Sequence, residues 1–531
     1  VTAQPSAADP QQLRAVLEAL ATDDVQLRET HISWVFLAGE HAYKLKKPVV
    51  LPFVDYSTAA RRHRMCAEEL RLNRRLAPNL YLGVRAVVPA AEGLRLAAEE
   101  DPRAIDYVVV MRRYDERLTL RSTLERGELT DEQLVAVART LAAFHARCTP
   151  ILGGEHGALR VQREIGANVQ ELLGVVDSAR ERLRVLTLAR FLAAFLQSRW
   201  EELDQRAASG RVRDCHGDLR AEHVLLGSPV QVVDCVEFDP DLRTLDVADD
   251  LSFLAMDLTA LGAEPLVGKL IDAYRGAGGD CGADALLAFF AVHRALIRAK
   301  VALVRARQHP PGDAPALHAR TRAAGLLAAA ERLAWRARLP LAIVLCGVPA
   351  SGKSHLAAVL ARLSGLPLNS SDVTRKSLAG LRASERASGE HYSAAFSRAT
   401  YAELGRRAAA DVRANGGALI DATFRRRADR VAFAQTFAGA APLVAVECLA
   451  PVEVLTRRAL ARERDPARVS DATLEVVQRE RGAWEALDEL PAHAHLPLRT
   501  DRPAEAIVAD LVALLDQRLL TTADRPPDQG V

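Results

Sequence analysis

Leu341-Ala-Ile-Val-Leu-Cys-Gly347-Val348-Pro349-Ala350-Ser351-Gly352-Lys353-Ser354 is the stretch from which the fold of the C-terminal half is read. Its first six residues are apolar, and residues 355–363 read as a helix. Strand, glycine loop and helix follow one another with the P-loop spacing G-x-x-x-x-G-K-S. In such a loop, glycines let backbone N–H groups wrap a polyphosphate and the helix N-terminus adds partial positive charge. Residues 347–354 therefore predict a triphosphate cradle, with Lys353 on the β/γ-phosphates and the Ser354 hydroxyl on Mg²⁺.

Two further stretches carry carboxylates that this cradle can use. Leu368-Asn-Ser-Ser-Asp372-Val-Thr-Arg375 places Asp372 at the end of a second strand, where ligands gather in a doubly wound sheet. Asp372 can accept the proton of an acceptor hydroxyl while Arg375 clamps an anionic acceptor; a helix N-cap explains Asp372 as well. Ala418-Leu-Ile-Asp421 ends in the manner of a Walker B strand, with Asp421 orienting the Mg²⁺ waters or the acceptor. Arg457, Arg458, Arg462 and Arg464 follow a third buried strand. They read either as a lid over the transferring phosphate or as a solvated helix face.

The chain has 531 residues, enough for three to four domain-sized units. Lys and Arg number 70 against 68 Asp and Glu, and aromatic residues make up 5%. Near-neutrality with so few stacking rings disfavours a nucleic-acid-binding role, polynucleotide ends included. Seven scattered cysteines without a C-x-x-C pair fit a reducing cytosol. The N-terminal stretch has neither a basic nor an apolar signal region, and the apolar helix over 286–304 is broken by His293, Arg294, Arg298 and Lys300. These features predict a cytoplasmic protein without a membrane span.

In the N-terminal half, strands are predicted over 32–38, 42–50, 81–88 and 104–111, with the run Tyr107-Val-Val-Val-Met111 central. Ser57 or Thr58 caps a helix carrying Glu68 and Glu69. From Thr119 the pattern becomes helical, with a capping box at Thr130-Asp-Glu-Gln133. His216-Gly217-Asp218 precedes a short hairpin around Gly227-Ser-Pro229, and Asp234 closes the second strand of that hairpin. A hairpin folds its flanks together, so Asp218 and Asp234 can share a site. Phosphoryl transfer needs one carboxylate to ready a hydroxyl and another to hold Mg²⁺. Taken alone, the tripeptide is equally a polar turn.

Residues 25–305 resemble the aminoglycoside phosphotransferase/choline kinase family, the small-molecule branch of the protein-kinase-like fold. The likeness lies in H-G-D-L-x-x-x-N followed by a strand ending in Asp. It implies Asp218 as catalytic base, Asp234 as Mg²⁺ ligand and Asp246 as the structural Asp that follows. It further implies Lys44 or Lys46 on the α/β-phosphates, Glu69 or Glu68 as its partner, and Met111 within an adenine-binding hinge. The family's metal-binding Asn falls on His223 here, which makes His223 a candidate metal ligand, through a water or for Mn²⁺, or the mark of a lobe that binds nucleotide and turns over weakly; no glycine-rich loop stands in residues 28–39. Residues 340–518 resemble P-loop small kinases, nearest the gluconate kinase, polynucleotide 5′-kinase and zeta-toxin group. Together the halves look like bacterial bifunctional aminoglycoside phosphotransferase/ATP-binding proteins.

The expected architecture is an α+β protein-kinase-like N-terminal domain, then an α/β P-loop domain with a parallel sheet. Its segments are an extension over 1–24, a β-rich lobe over 25–115, a helical lobe over 116–307, a bridging segment over 308–338, the P-loop domain over 339–519 and a disordered tail over 520–531. The expected function is ATP- and Mg²⁺-dependent transfer to the hydroxyl of a soluble small molecule. The alternatives are an N-terminal pseudokinase sensor controlling an active P-loop kinase, or a nucleotide-dependent switch protein.

Overall fold

A computed structural model describes residues 7–20, 25–51, 54–91, 93–152, 156–382, 385, 387–463, 474–491 and 494–522. Contacts gather the chain into two compact units, each discontinuous in sequence. The first is Val1–Arg163 with Glu201–Ala295, and the second is Glu164–Trp200 with Leu296–Val531.

The first unit is built on a six-stranded antiparallel sheet. Its strands are β1 (Gln26–Glu29), β2 (Ser33–Ala38), β3 (His41–Lys46), β4 (Tyr81–Ala90), β5 (Gly93–Ala97) and β6 (Asp106–Arg112). Their order is β1-β2-β3-β6-β4-β5. The apolar run expected to be central is so, with β6 lying between β3 and β4. Its side chains alternate between two cores. Val108 joins Phe36, Leu45 and Val87 on one face, and Val109 and Met111 join Ala42, Tyr81 and Val84 on the other. Helix α1 (Ala59–Asn73) starts on Thr58, whose side chain accepts from the Arg61 N–H.

Strand β3 stops at Lys46, short of the expected Val50, because Pro48 has no N–H for a ladder. β1 and β5 were not expected. All four residues of β1 are exposed, so this edge strand has no apolar alternation to announce it.

The helical part of this unit holds α2 (Asp131–Arg147), opened by the expected capping box between Thr130 and Gln133. It also holds two short antiparallel pairs. β7 (Val212–Asp214) pairs with β10 (Thr244–Asp246), and β8 (Val224–Leu225) with β9 (Gln231–Val232). The β8–β9 pair is the expected hairpin. Helix α3 (Val247–Ala260) follows, buried along most of its length.

The second unit contains a five-stranded parallel sheet of β11 (Leu341–Cys346), β12 (Leu368–Ser370), β13 (Gly417–Asp421), β14 (Leu443–Leu449) and β15 (His495–Arg499), ordered β12-β13-β11-β14-β15. All six residues of β11 are buried, as a central strand covered on both faces requires. Ile343 and Leu345 pack on one face with Leu356 and Leu360 of α4 (Lys353–Ser364). Ala342, Val344 and Cys346 pack on the other with Leu404 and Ala408 of α6 (Ala394–Asn415). Between these helices stands α5 (Ser371–Leu378), and later come α7 (Val452–Glu463) and α8 (Ala504–Thr522).

By its contacts, this second unit also takes in the helices Ala179–Ser198 and Ala314–Arg336, the latter being the expected bridging helix. The buried Arg338 guanidinium fastens them. It pairs with Asp516 of α8 at 2.8 Å and lies over the rings of Phe191 at 4.6 Å and Trp335 at 5.3 Å. The helix α8 reaches Thr522, three residues into the expected tail, and the rest of that tail lies outside the described residues. Among the described residues no helix is long and apolar enough to cross a membrane.

Candidate nucleotide and phosphoryl-transfer sites

In the first unit, residues far apart in sequence meet at Lys44. Its Nζ lies 2.8 Å from Glu69 Oε1 and 3.2 Å from Asp234 Oδ1, a residue 190 positions away. Lys46 points to the same side of β3 but is fully buried, with Nζ 2.7 Å from Glu69 Oε2 and 2.5 Å from Glu237 Oε1. Both candidate lysines thus grip Glu69, and only Lys44 also meets Asp234. Glu68 faces elsewhere, paired with Arg71 and Arg243. Burial works to raise the Glu69 carboxyl, yet the two ammonium groups outweigh it and hold it below the usual range. Burial likewise disfavours the Lys44 ammonium, but Glu69 and Asp234 carry it well above its ordinary value.

Asp234 stands in the left-handed region with φ 64°, a conformation that costs a non-glycine residue strain. Its neighbours impose it. The Asp234 N–H donates to Tyr81 Oη at 3.4 Å, and the Cys235 N–H to Asn73 Oδ1 at 2.9 Å. Lys44 above all, with Arg220 nearby, depresses the Asp234 carboxyl far below its ordinary range.

The loop carrying Asp218 hangs on Asp250. One oxygen of Asp250 accepts from the His216 N–H at 3.1 Å, and the other from the Gly217 N–H at 2.8 Å. Burial opposes ionisation of Asp250, but the hydrogen bond with His145 Nε2 at 3.0 Å and the loop amides bring its pKa down to about 2. Asp250 therefore fills the structural role expected of Asp246, which instead caps α3 and pairs with Arg206 at 2.7 Å. Gly217 has φ +88°, and a Cβ there would stand 2.9 Å from the Leu242 carbonyl oxygen. His216 is buried and neutral, its pKa lowered to about 4 by desolvation. It donates from Nε2 to the Val233 carbonyl at 3.0 Å.

Asp218 Oδ2 accepts from Arg220 Nε at 2.9 Å. The same guanidinium reaches Glu222 through Nη1 and His223 Nε2 through Nη2, the latter at 2.9 Å. His223 Nδ1 is 2.9 Å from the Asp218 carbonyl oxygen, which can only accept, so Nδ1 carries the ring proton and Nε2 the lone pair. Asp234 Oδ2 is 3.6 Å from that Nε2. The half-exposed Asp234 carboxylate is an oxygen donor of the kind Mg²⁺ prefers. The His223 nitrogen is not, and its lone pair is engaged by Arg220. Met111 lies in the apolar cluster of Ala42, Tyr81, Leu225 and Val233. Between β1 and β2 the chain turns tightly, the Thr30 N–H donating to the Ser33 carbonyl at 2.9 Å.

In the second unit one contiguous loop makes the site. Gly347, Ala350 and Gly352 have φ of +138°, +67° and +95°. A Cβ on Gly347 would lie 2.7 Å from the Cys448 carbonyl oxygen, so only glycine fits there. Gly352 is the N-cap of α4, whose first two residues are Lys353 and Ser354. The Ser351 N–H donates to the Val348 carbonyl at 3.1 Å, while its buried Oγ has no partner. Val348 and Pro349 complete the loop. Register places Asp421 beside Leu345 of β11 and Ser370 of β12, at the carboxyl end of the sheet. Ser354 is exposed and Asp421 buried, and their oxygens suit Mg²⁺.

The N-cap of α5 is Ser370, so Asp372 sits inside its first turn. Arg375, one turn on, is buried. Its Nη1 donates to the His391 carbonyl at 2.6 Å, its guanidinium lies 4.8 Å over the Tyr392 ring, and its Nε has no partner. Asp429, absent from the sequence reading, adjoins this group. Burial raises its carboxyl despite Arg426, Arg375 and Arg425 nearby. Arg458, expected in a lid, is tied to carbonyls of the loop and of Thr500, donating to Ala350 at 3.4 Å, Ser351 at 3.3 Å and Thr500 at 2.6 Å. A cavity of about 370 Å³ opens beside it, lined among others by Gly352, His355, Thr500 and Arg502. Arg457 is on α7, the Arg462 side chain is not described, and Arg464 lies outside the described residues.

The sequence named Lys44, Glu69, Asp218, Asp234 and the P-loop, and missed Arg220, Glu237 and Asp250. The spacing of Arg220, two residues after Asp218, was the available sign of the first.

These folds and sites define a protein with two kinase-type domains. Residues 39–290 match the phosphotransferase enzyme family, and residues 343–487 match an AAA domain family. Uncharacterized proteins of Mycobacterium bovis and Mycobacterium tuberculosis are 34% identical over 470 residues, covering 85% of this chain and 88% of theirs. The chain belongs to their family, in which a phosphotransferase-type domain is joined to an AAA-type P-loop domain. Among solved structures, a choline/ethanolamine kinase family protein from Mesorhizobium loti is 16% identical, covering 60% of this chain and 98% of its own, with TM-score 0.33. A gluconokinase from Sinorhizobium meliloti is 20% identical, covering 35% and 96%, with TM-score 0.26.

Proposed function

We propose that the chain is an ATP-dependent phosphotransferase with two separate sites, each acting on the hydroxyl of a soluble small molecule. The observation that carries this reading is Lys44 held between Glu69 and Asp234, with Asp218 on the adjoining loop. In the first unit Lys44 meets the α/β-phosphates and Asp234 holds Mg²⁺. Asp218 takes the proton from the acceptor hydroxyl as its oxygen bonds to the γ-phosphorus and ADP leaves. In the second unit the amides of 347–354 and Lys353 hold the triphosphate, Ser354 and Asp421 hold Mg²⁺, and Asp372 is the base. Arg375, with an unpartnered N–H, favours an acceptor bearing an anionic group.

A second reading has its own support. The tight turn between β1 and β2 carries no glycine to cover a phosphate. On that reading the first unit senses nucleotide and the second alone transfers.

Transfer from radiolabelled ATP to a panel of sugars, aminoglycosides, sugar acids and nucleosides tests both. Full-length Asp218→Ala and Lys353→Ala are each expected to remove a different labelled product, by about 10²-fold or more. The sensor reading predicts that Asp218→Ala removes none. A double variant with parental activity overturns the two-site assignment.

A further inference from the structure

The most unusual cluster in the molecule is the one around Asp218, where a guanidinium stands among the groups expected to bind metal. Arg220 is nine-tenths buried, and its side chain is spent on three neighbours: Asp218 Oδ2, Glu222 Oε1 and His223 Nε2. The third contact matters most. With its proton fixed on Nδ1 by the Asp218 carbonyl, His223 has one lone pair to give, and Arg220 Nη2 takes it at 2.9 Å. A divalent cation on His223 would need that same lone pair and would stand beside a buried positive charge.

We propose that the first unit carries a single divalent cation, on Asp234, and that the Arg220 guanidinium supplies the positive charge of a second. This rests on nucleotide binding by that unit, as set out above. The position resembling the family's second ligand, His223, does not fit a metal here. It serves as the acceptor that aims Arg220. Lys44 on Asp234 Oδ1 and Arg220 on Asp218 Oδ2 then bracket the place of the phosphates with fixed cations. Such a site keeps the oxygen-ligand preference of Mg²⁺, since no imidazole enters the coordination.

The test counts ions on the full-length chain. Bound Mn²⁺ is read by electron paramagnetic resonance, and bound non-hydrolysable ATP analogue by equilibrium dialysis. Two analogues and two Mn²⁺ per chain are expected, one pair for each unit. Three Mn²⁺ on two analogues would overturn the proposal while leaving the two-site reading intact. One analogue per chain would remove that reading and the proposal with it. Arg220→Ala combined with His223→Asn is expected to admit a third Mn²⁺, and a count still at two overturns the role given to Arg220. Arg220→Gln alone frees the imidazole, and is expected to add nitrogen modulation from a directly bound His to the Mn²⁺ spin echo. The parent spectrum already showing that added coupling in the first unit would place the metal on His223 and sink the idea.

Discussion

The two proposed sites would hold the same kind of ligand by opposite means. The second unit would use backbone: one loop, 347–354, whose glycines permit the conformation and whose amides would do the binding. The first unit uses side-chain charge: Lys44, Lys46, Glu69, Asp234 and Glu237 meet from a strand, a helix and a loop. A backbone cradle tolerates changes in its surroundings but not in its glycines. A charge network depends on every member, because removing one leaves its partner buried and uncompensated.

The largest effect is expected inside that network. Lys46 is fully buried between Glu69 and Glu237, whereas Lys44 keeps some solvent contact. Lys46→Met should therefore destabilise the first unit by about 3–5 kcal/mol, the usual cost of breaking a buried pair from one side. Lys44→Met should cost less stability and more ATP affinity, since Lys44 is the lysine on Asp234. Urea denaturation and nucleotide titration of both full-length variants check this. Equal stability losses would mean that the two lysines do not divide the work.

The same contrast explains what was legible in the sequence. A P-loop is written in consecutive residues, so Gly347 to Ser354 could be assigned before any contact was known. Asp421 followed because it ends an apolar strand, whereas Asp372, expected at a strand end, lies in the first turn of α5. In the first unit the motif named Asp218 and Asp234, but the choice between Lys44 and Lys46 had to wait for the fold. Both occupy the same face of β3, and only the position of Asp234 separates them. Asp250 was missed for Asp246 because either precedes or opens the same helix, and the hydrogen bonds to His216 and Gly217 are tertiary. Helix Ala179–Ser198 could not be assigned to its unit, since an amphipathic pattern says that a face is buried but not against what.

A smaller effect separates the units by pH. His216 has a folded pKa of about 4 against an ordinary 6.5, so the unfolded chain binds its proton first as pH falls. The stability that a neutral His216 contributes to the first unit is therefore full above pH 6.5 and is lost as pH drops toward 4, by about 2 kcal/mol between pH 7 and pH 5. Two groups of the second unit, Asp429 and Asp516, run the other way. Burial raises the Asp429 and Asp516 carboxyls, whose ionised forms cost stability that is recovered as pH falls. Hydrogen exchange, corrected for intrinsic rates, should show residues 211–237 losing protection between pH 7 and pH 5 while residues 341–364 do not. His216→Asn should flatten the first response, and a parent profile with no such difference would contradict the buried neutral His216.

The smallest effect decides what Arg458 does. A lid arginine meets the phosphate only during transfer, so its loss slows turnover and leaves stability alone. Arg458 instead ties the Thr500 carbonyl at 2.6 Å to the loop at Ala350 and Ser351. Arg458→Ala should cost the second unit about 1 kcal/mol, roughly one hydrogen bond, and weaken ATP binding by about the same energy. Turnover at saturating ATP should stay within about threefold of the parent, because the amides that meet the phosphates are displaced rather than removed. A variant that binds ATP normally, unfolds normally and turns over about 10²-fold more slowly would return Arg458 to the lid, with α7 closing over the loop rather than bracing it.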